Sequence, residues 1–445
     1  MSGLARPTQF VIRTFNKISK PGLARFDPNT YSIKTKDESD TAHAILIRSH
    51  SITDADVPLE CRALARCGAG TNNCNTKRMT ELGIPVFNTP GANANAVKEL
   101  VLCSMLLASR GIVEGINHME QLHKDGTAHE RIEKDKAMFG GRELVGKTLG
   151  LIGLGAIGAA VANAALALGM KVVGHDPSLS VEGALRLPGT EMKMLSIDAV
   201  AAQADYISLH TPYNEHTKGL IGKSLLAQMK KDASILNFSR GEIVDENALA
   251  DHYEAGATGR YICDFALSER LWSKANVLSI PHLGASTEEA EENAASMAVD
   301  TIRDFLETGE IYHSVNFPTT KLPQRPDTVN RCCIVTANVP GMLGRLMTVF
   351  GDANINVVQQ INASRGDIAY NVIDLELSRQ ADGSVAVSEK FSVDEIQRHI
   401  MALEGVKSSR FINDWCPGSG YAIKHNGEVI GIGIHKPTQR SYAEI

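Results

Sequence analysis

The chain has 445 residues, 43% of them hydrophobic and 22% charged, with a formal net charge of −6. That length suits two or three globular domains, and that composition is far from the composition of a disordered chain. Acids and bases are interspersed without a basic run and only 5% of residues are aromatic, which argues against nucleic acid as a partner.

The segment Met1 to Arg13 is broken by Pro7 and Thr8 and lacks the apolar core of a signal peptide. Phe10 to Thr14, Ala44 to Arg48 and Pro85 to Asn88 are short β-rich runs separated by polar connectors, the pattern of a small α/β unit. A helical pattern covers Ala96 to Arg110, and the charged segment Asn117 to Lys136 reads as a solvated connector or helix. The longest apolar stretch, near Val101 to Ala108, is too short to span a bilayer, so a cytoplasmic protein without a membrane partner is expected.

From Thr148 onward strands and helices alternate: Leu149 to Ile152, Ile157 to Leu168, Lys171 to Gly174, Tyr206 to Leu209, Ile235 to Asn237, Gly259 to Asp264 and Val277 to Ile280. Such alternation implies a parallel sheet covered on both faces. A long helix follows, with capping-box spacing between Ser286 and Glu289, and runs to about Thr308. Pro318, Pro323 and Pro326 then stand among polar residues, a linker composition that marks a domain boundary.

Beyond the linker the pattern reads strand (Cys332 to Ala337), helix (Gly341 to Ala353), strand (Asn356 to Ala363), strand (Ala369 to Leu377), helix (Val393 to Leu403) and strand (Val406 to Phe411). This is the ferredoxin-like βαββαβ order. In the tail, Asn426-Gly427 between two apolar runs predicts a β-hairpin. The cysteines at 61, 67, 74, 103, 263, 332, 333 and 416 include no C-x-x-C pair, so reduced thiols and no metal site are expected.

The most informative local feature is Gly153-Leu154-Gly155-Ala156-Ile157-Gly158, a G-x-G-x-x-G turn between a strand and a helix. Gly153 permits the tight turn, Gly155 lets a pyrophosphate approach the backbone, and Gly158 lets helix and strand pack closely. The helix N-terminus supplies free N–H groups for the phosphates. A second strand ends at Asp176, where a carboxylate would bind both ribose hydroxyls and repel a 2′-phosphate, favouring NAD over NADP.

Arg240, Glu269 and His282 also stand at strand ends, on the carboxyl edge where open α/β sheets hold ligands. The planar fork of Arg240 suits a substrate carboxylate. His282 can exchange a proton near neutral pH, and Glu269 could orient it.

Gly70-Thr71-Asn72, Gly153 to Gly158, Asn237 to Glu246, Asp264 to Glu269 and Pro281 to Thr287 together resemble the D-isomer-specific 2-hydroxy-acid dehydrogenases and, within that family, its D-3-phosphoglycerate dehydrogenases. The resemblance spans roughly Phe10 to Phe411. It implies a catalytic triad of Arg240, Glu269 and His282, with Asp264 near the nicotinamide. It also implies that Ala156, Ile157, Asp176, Thr211, Phe238, Ser239, Leu283, Gly284 and Ala285 line the cofactor. Arg48 and Arg66 would hold a substrate phosphate, with His50, Gly68, Ala69 and Asn93 contributing to the substrate site. Two departures stand out: Arg270 replaces the usual proline after the glutamate, and the stretch from Glu269 to His282 is shorter than usual.

The implied architecture is a Rossmann-type doubly wound sheet (residues 98–291) inserted in a discontinuous flavodoxin-like substrate domain (1–97 and 292–320). A linker (321–330), a ferredoxin-like domain (331–412) and a tail (413–445) follow. Ala337-Asn338-Val339-Pro340-Gly341 and Asn354-Ile355-Asn356 resemble the ACT domain, an amino-acid-sensing module. L-serine binding through Asn338 and Asn356 is implied, although Thr336 stands where a histidine is often found. The implied reaction is NAD-dependent oxidation of 3-phospho-D-glycerate by a homo-oligomer, a dimer or tetramer. A dehydrogenase for 2-hydroxyglutarate or glycerate, and a nucleotide-sensing regulatory protein on the same fold, are the alternatives.

Overall fold

In the computed structural model, residues 9–323, 329–376, 378–379, 385–386, 388, 391–412, 421–425 and 428–432 are described. The chain divides into two units, one from the segments before Gly91 and after Ala290, the other from Gly91–Ala290.

The first unit contains strands β1 (Phe10–Thr14), β2 (Tyr31–Lys34), β3 (Ala44–Ile47), β4 (Ala63–Arg66) and β5 (Val86–Phe87). They pair in parallel in the order β2-β1-β3-β4-β5, the flavodoxin-like arrangement. Ala44-Ile45-Leu46-Ile47 is apolar at every position and fully buried, as a central parallel strand covered on both faces must be. Asn316 closes the discontinuous domain: its Oδ1 accepts from the Val86 N–H at 2.7 Å and its Nδ2 donates to the Ile84 carbonyl at 3.0 Å.

The second unit is built on β6 (Thr148–Ile152), β7 (Lys171–His175), β8 (Met192–Met194), β9 (Tyr206–Leu209), β10 (Ser234–Asn237), β11 (Tyr261–Cys263) and β12 (Val277–Ser279). The order β12-β11-β10-β9-β6-β7-β8 is parallel throughout and reverses direction between β6 and β9, the switch point at which doubly wound sheets bind ligands. The charged segment after Arg110 forms two helices, Ile112–Lys124 and Ala128–Asp135.

The long helix runs Glu288–Thr308, and its cap is Thr287, whose Oγ1 accepts from the Ala290 N–H at 3.1 Å. Ser286, the expected cap, instead turns its hydroxyl to the His282 carbonyl at 3.4 Å, closing the preceding turn. Among the described residues no helix is long and apolar enough to cross a membrane, and the seven described cysteines are free thiols. Cys416 lies outside the described residues.

The first unit also carries an antiparallel sheet with β13 (Val329–Ala337), β14 (Val357–Arg365) and β15 (Ile368–Glu376). A separate two-stranded ribbon, β16 (Ser378–Arg379) and β17 (Val385–Ala386), precedes β18 (Val406–Ile412), β19 (Tyr421–His425) and β20 (Glu428–Ile432). The order β14-β15-β13-β18-β19-β20, with helices Met342–Asp352 and Val393–Ala402, is a ferredoxin-like sheet extended by the expected terminal hairpin. The hairpin's turn residues, Asn426 and Gly427, lie outside the described residues.

One face of that sheet buries Ile334, Ile373, Leu346, Phe350, Ile396 and Ile400 in a common core. The other face receives the end of helix Glu288–Thr308. Terminal helix carbonyls need donors when buried, and three side chains provide them. Arg331 donates to the Thr308 carbonyl at 3.0 Å while pairing with Asp374 at 2.7 and 2.9 Å. Arg410 donates to the Phe305 and Leu306 carbonyls, and the Tyr370 hydroxyl donates to the Gly309 carbonyl at 2.8 Å. The ferredoxin-like domain is therefore packed into the same unit as the flavodoxin-like sheet. Of the expected linker, residues 324–328, Pro326 among them, lie outside the described residues.

Candidate active site

The strand β6 ends in a glycine turn whose geometry excludes a Cβ at two of its three glycines. Gly153 has φ +93°, and a Cβ there would meet the His210 carbonyl oxygen at 2.5 Å. A Cβ on Gly158 would meet the Gly153 carbonyl oxygen at 2.2 Å, so helix Ala156–Ala167 could not pack as it does. Above Gly155 the space is open, and no side chain caps the helix that starts at Ala156. Its first N–H groups thus face a cradle suited to a pyrophosphate.

Asp176, just past β7, accepts from the Leu154 N–H and the Ser178 N–H, both at 2.8 Å, which ties the acid to the glycine turn. The buried Oγ1 of Thr211 has no hydrogen-bond partner among the described residues. Phe238 is buried after β10, and the Ser239 hydroxyl donates to the Leu209 carbonyl at 2.6 Å. Asp264 is buried after β11; its Oδ2 accepts from the Gly284 N–H at 3.1 Å, whereas its Oδ1 has no hydrogen-bond partner among the described residues. Burial pushes the Asp264 carboxyl up, against the opposing pull of His282 and of the Gly284 and Leu283 N–H groups. An orphaned acceptor at this sheet edge fits a carboxamide donor, and the residues of this unit fit a dinucleotide.

Arg240 follows β10 with its guanidinium exposed; Nη1 donates to the Ser239 carbonyl at 2.6 Å. Its backbone is held by the fully buried Asn237, whose Nδ2 donates to the Arg240 carbonyl at 2.9 Å. Asn237 went unassigned in the sequence, although its place in a buried strand next to Arg240 was a usable signal. His282 is exposed after β12 and packs edge-on to Phe265, with ring centroids 5.5 Å apart. Glu269 opens the short helix Glu269–Trp272 with its side chain exposed. No hydrogen bond or ion pair joins it to His282 among the described residues; the carboxylate that acts electrostatically on His282 is Asp264. Leu283 and Ala285 are exposed on either side of buried Gly284. Asn93 precedes helix Ala94–Ser109 with a buried Oδ1 that has no hydrogen-bond partner among the described residues.

The first unit holds the remaining substrate candidates. Arg48, Ser49 and His50 form a loop fixed from three directions. Asn16 Oδ1 accepts from the Ser49 and His50 N–H groups at 3.0 and 2.7 Å, Asn73 Nδ2 donates to the Arg48 and His50 carbonyls at 3.2 and 2.8 Å, and Arg66 Nε donates to the Arg48 carbonyl at 3.1 Å. The Arg48 guanidinium pairs with Glu291 at 2.7 Å. The Arg66 guanidinium lies over Gly68, where a Cβ would meet Nη1 at 2.3 Å, and the Ala69 carbonyl accepts from Asn88 Nδ2 at 2.6 Å. In the ferredoxin-like domain, Asn338 Nδ2 donates to the Gly366 carbonyl at 3.0 Å and Asn356 Nδ2 to Glu376 at 2.7 Å. Thr336 is fully buried and its hydroxyl has no hydrogen-bond partner among the described residues.

Residues 103–284 match the family model for the NAD-binding domain of the D-isomer-specific 2-hydroxyacid dehydrogenases. The chain is 33% identical over 342 residues to the D-3-phosphoglycerate dehydrogenase of Methanocaldococcus jannaschii, covering 75% of this chain and 62% of that protein. To the D-3-phosphoglycerate dehydrogenase of Haemophilus influenzae it is 32% identical over 347 residues, covering 75% of this chain and 81% of that one. The chain thus spans less than two thirds of the first relative's length and about four fifths of the second's. A solved NAD⁺-bound 3-phosphoglycerate dehydrogenase of Entamoeba histolytica superposes with a TM-score of 0.54 at 25% identity, over 69% of this chain and 99% of that one.

Proposed function

Because the chain belongs to the D-3-phosphoglycerate dehydrogenase family, we propose that it oxidises 3-phospho-D-glycerate to 3-phosphooxypyruvate with NAD⁺, the opening step of serine synthesis. The observation that carries this reading is a dinucleotide cradle, with Asp176 and the orphaned Asp264 oxygen, on the same sheet edge as Arg240 and His282. When bound, NAD⁺ supplies the acceptor for the C2 hydride. His282 takes the proton of the C2 hydroxyl, a role its exposed position leaves open to substrate. Arg240 holds the substrate carboxylate, and its charge is not neutralised by any acid among the described residues. Glu269 stabilises the imidazolium once substrate orders the two groups; hydrogen bonds at such sites are often long before substrate binds. Arg48, Arg66 and His50 take the phosphate. NADH formation on adding 3-phospho-D-glycerate tests the reading, and turnover confined to non-phosphorylated 2-hydroxy acids would reject it.

The ferredoxin-like domain is read as an ACT module for L-serine. Asn338 and Asn356 offer amides for an amino acid's charged ends, exchanging their present partners Gly366 and Glu376. Initial rates with and without L-serine, in the wild-type protein and in Asn338→Ala, test this; inhibition lost in the variant is expected, and an equal response would move the site elsewhere. Self-association is supported by an apolar groove of about 720 Å³ lined by Ile112, Ile116, Met119, Ile132 and Phe139. Sedimentation of Ile116→Asp tests it, with a shift to smaller species expected. The free thiols suit a reducing compartment, and the cytoplasm is proposed.

A further inference from the structure

His50 is held on two sides. The ring of Phe15 stacks on it with centroids 4.2 Å apart and planes 6° apart, and its Nε2 donates to Asp56 Oδ2 at 3.0 Å. Asp56 is buried and richly bonded: Lys36 Nζ donates to Oδ1 at 2.7 Å, and the Thr53 N–H and hydroxyl donate to Oδ2 at 3.0 and 2.8 Å. Burial by itself would push the Asp56 carboxyl up, but the donors Lys36, His50 and Thr53 outweigh it and hold the group well below the usual carboxylate range. An ionised carboxylate can only accept, so Nε2 carries the proton. The Nδ1 edge then has no protein partner among the described residues, and the imidazole side chain remains 32% exposed. The turn at Thr53 needs only an acid at position 56 to close its capping box. The bond to His50 goes beyond that local role, because it ties the turn to the loop bearing Arg48.

We propose that Asp56 is a positioning residue for the substrate phosphate: it fixes the ring orientation and tautomer of His50 so that the Nδ1 edge is presented to the ligand. The inference rests on the reading of the Arg48–His50 loop as the phosphate site. A phosphate bound at this edge accepts from Nδ1–H of a ring whose Nε2–H stays on Asp56.

The test is steady-state kinetics on the full chain carrying Asp56→Asn, His50→Ala or both, with NADH affinity measured in each. The expected result for Asp56→Asn is a rise in KM for 3-phospho-D-glycerate of roughly 3–10-fold, within the coupling seen inside one hydrogen-bonded network, with kcat and NADH affinity little changed. Adding Asp56→Asn to His50→Ala should raise KM no further. Additive rises, or a rise with His50→Ala and none with Asp56→Asn, would overturn the positioning role. An unchanged KM in His50→Ala would reject the phosphate reading itself. Should Asp56→Asn fail to fold, NMR of the His50 ring nitrogens in the wild-type protein decides: a neutral ring protonated at Nε2 supports the proposal, and one protonated at Nδ1 refutes it.

Discussion

Asp374→Asn removes the charge that balances Arg331, whose side chain is only 2% exposed and cannot reach water. The guanidinium keeps its bonds to the Thr308 and Pro323 carbonyls, but those neutral acceptors do not cancel its charge. Gln359, which donates to Asp374 Oδ2 at 2.6 Å, loses a charged acceptor at the same time. Breaking one partner of a buried pair costs about 3–5 kcal/mol, and the two surviving carbonyl bonds place this case near the lower end. At about 2–4 °C per kcal/mol for a unit of this size, the melting transition should fall by roughly 6–12 °C. Thermal unfolding followed by circular dichroism, with NADH affinity as a control for the other unit, measures it. A loss below about 1 kcal/mol would refute the claim that the pair is dry and needed. The double variant Arg331→Met with Asp374→Leu should recover most of the stability, because apolar replacements of a buried pair are often neutral or better.

His282→Ala should lower kcat by roughly two to four orders of magnitude while NADH affinity survives, the usual span for general acid–base catalysis; an unchanged kcat would reject its role. Asp176→Ala should weaken NAD binding and narrow its advantage over NADP, since the carboxylate both binds ribose and repels a 2′-phosphate; wild-type preference for NADP in a paired rate assay would contradict this. Burial lowers the pKa of His210 from 6.5 to about 4, and burial with the Arg62 charge lowers that of His43 from 6.5 to about 3. Both are neutral in the fold while the unfolded chain takes up protons below about pH 6.5, so stability should be highest above that pH and fall progressively toward pH 4 and below. Urea midpoints across this range measure the effect, and a flat profile would count against both assignments.

Periodicity and glycine spacing expose the parts of this fold that local physics decides. The run Thr148–Ile152 followed by Gly153, Gly155 and Gly158 can be read directly, because the turn tolerates no Cβ at two of those positions. Tyr31–Lys34, Ala63–Arg66 and Met192–Met194 escape such reading. They are three or four residues long, and Ala-Leu-Ala-Arg and Met-Lys-Met carry little β preference, so only pairing with β1, β3 and β7 makes them strands. The cap falls on Thr287, one residue past the expected Ser286, whose hydroxyl closes the local turn after His282 instead. Among site residues, those inside a motif were legible one by one. The relation of Asp264 to His282 depends on β11 and β12 lying side by side, and no spacing encodes that; the support of Arg240 by Asn237 and the tie between His50 and Asp56 are local, but the turn geometry that brings those side chains together is not written in a motif. The packing of the ferredoxin-like domain was hidden for the same reason: Arg331, Tyr370 and Arg410 read as ordinary strand residues until the end of the long helix supplies carbonyls for them.

On the proposed reading, this sheet edge dehydrogenates a phosphorylated 2-hydroxy acid. The deciding measurement is kcat/KM for NAD⁺ reduction with 3-phospho-D-glycerate, set beside D-glycerate and 2-hydroxyglutarate, in wild type and in Arg48→Ala. A clear preference for the phosphorylated substrate, lost when Arg48 is removed, is the expected result. Equal or better turnover of the non-phosphorylated acids, insensitive to Arg48, would exclude a phosphate-directed site.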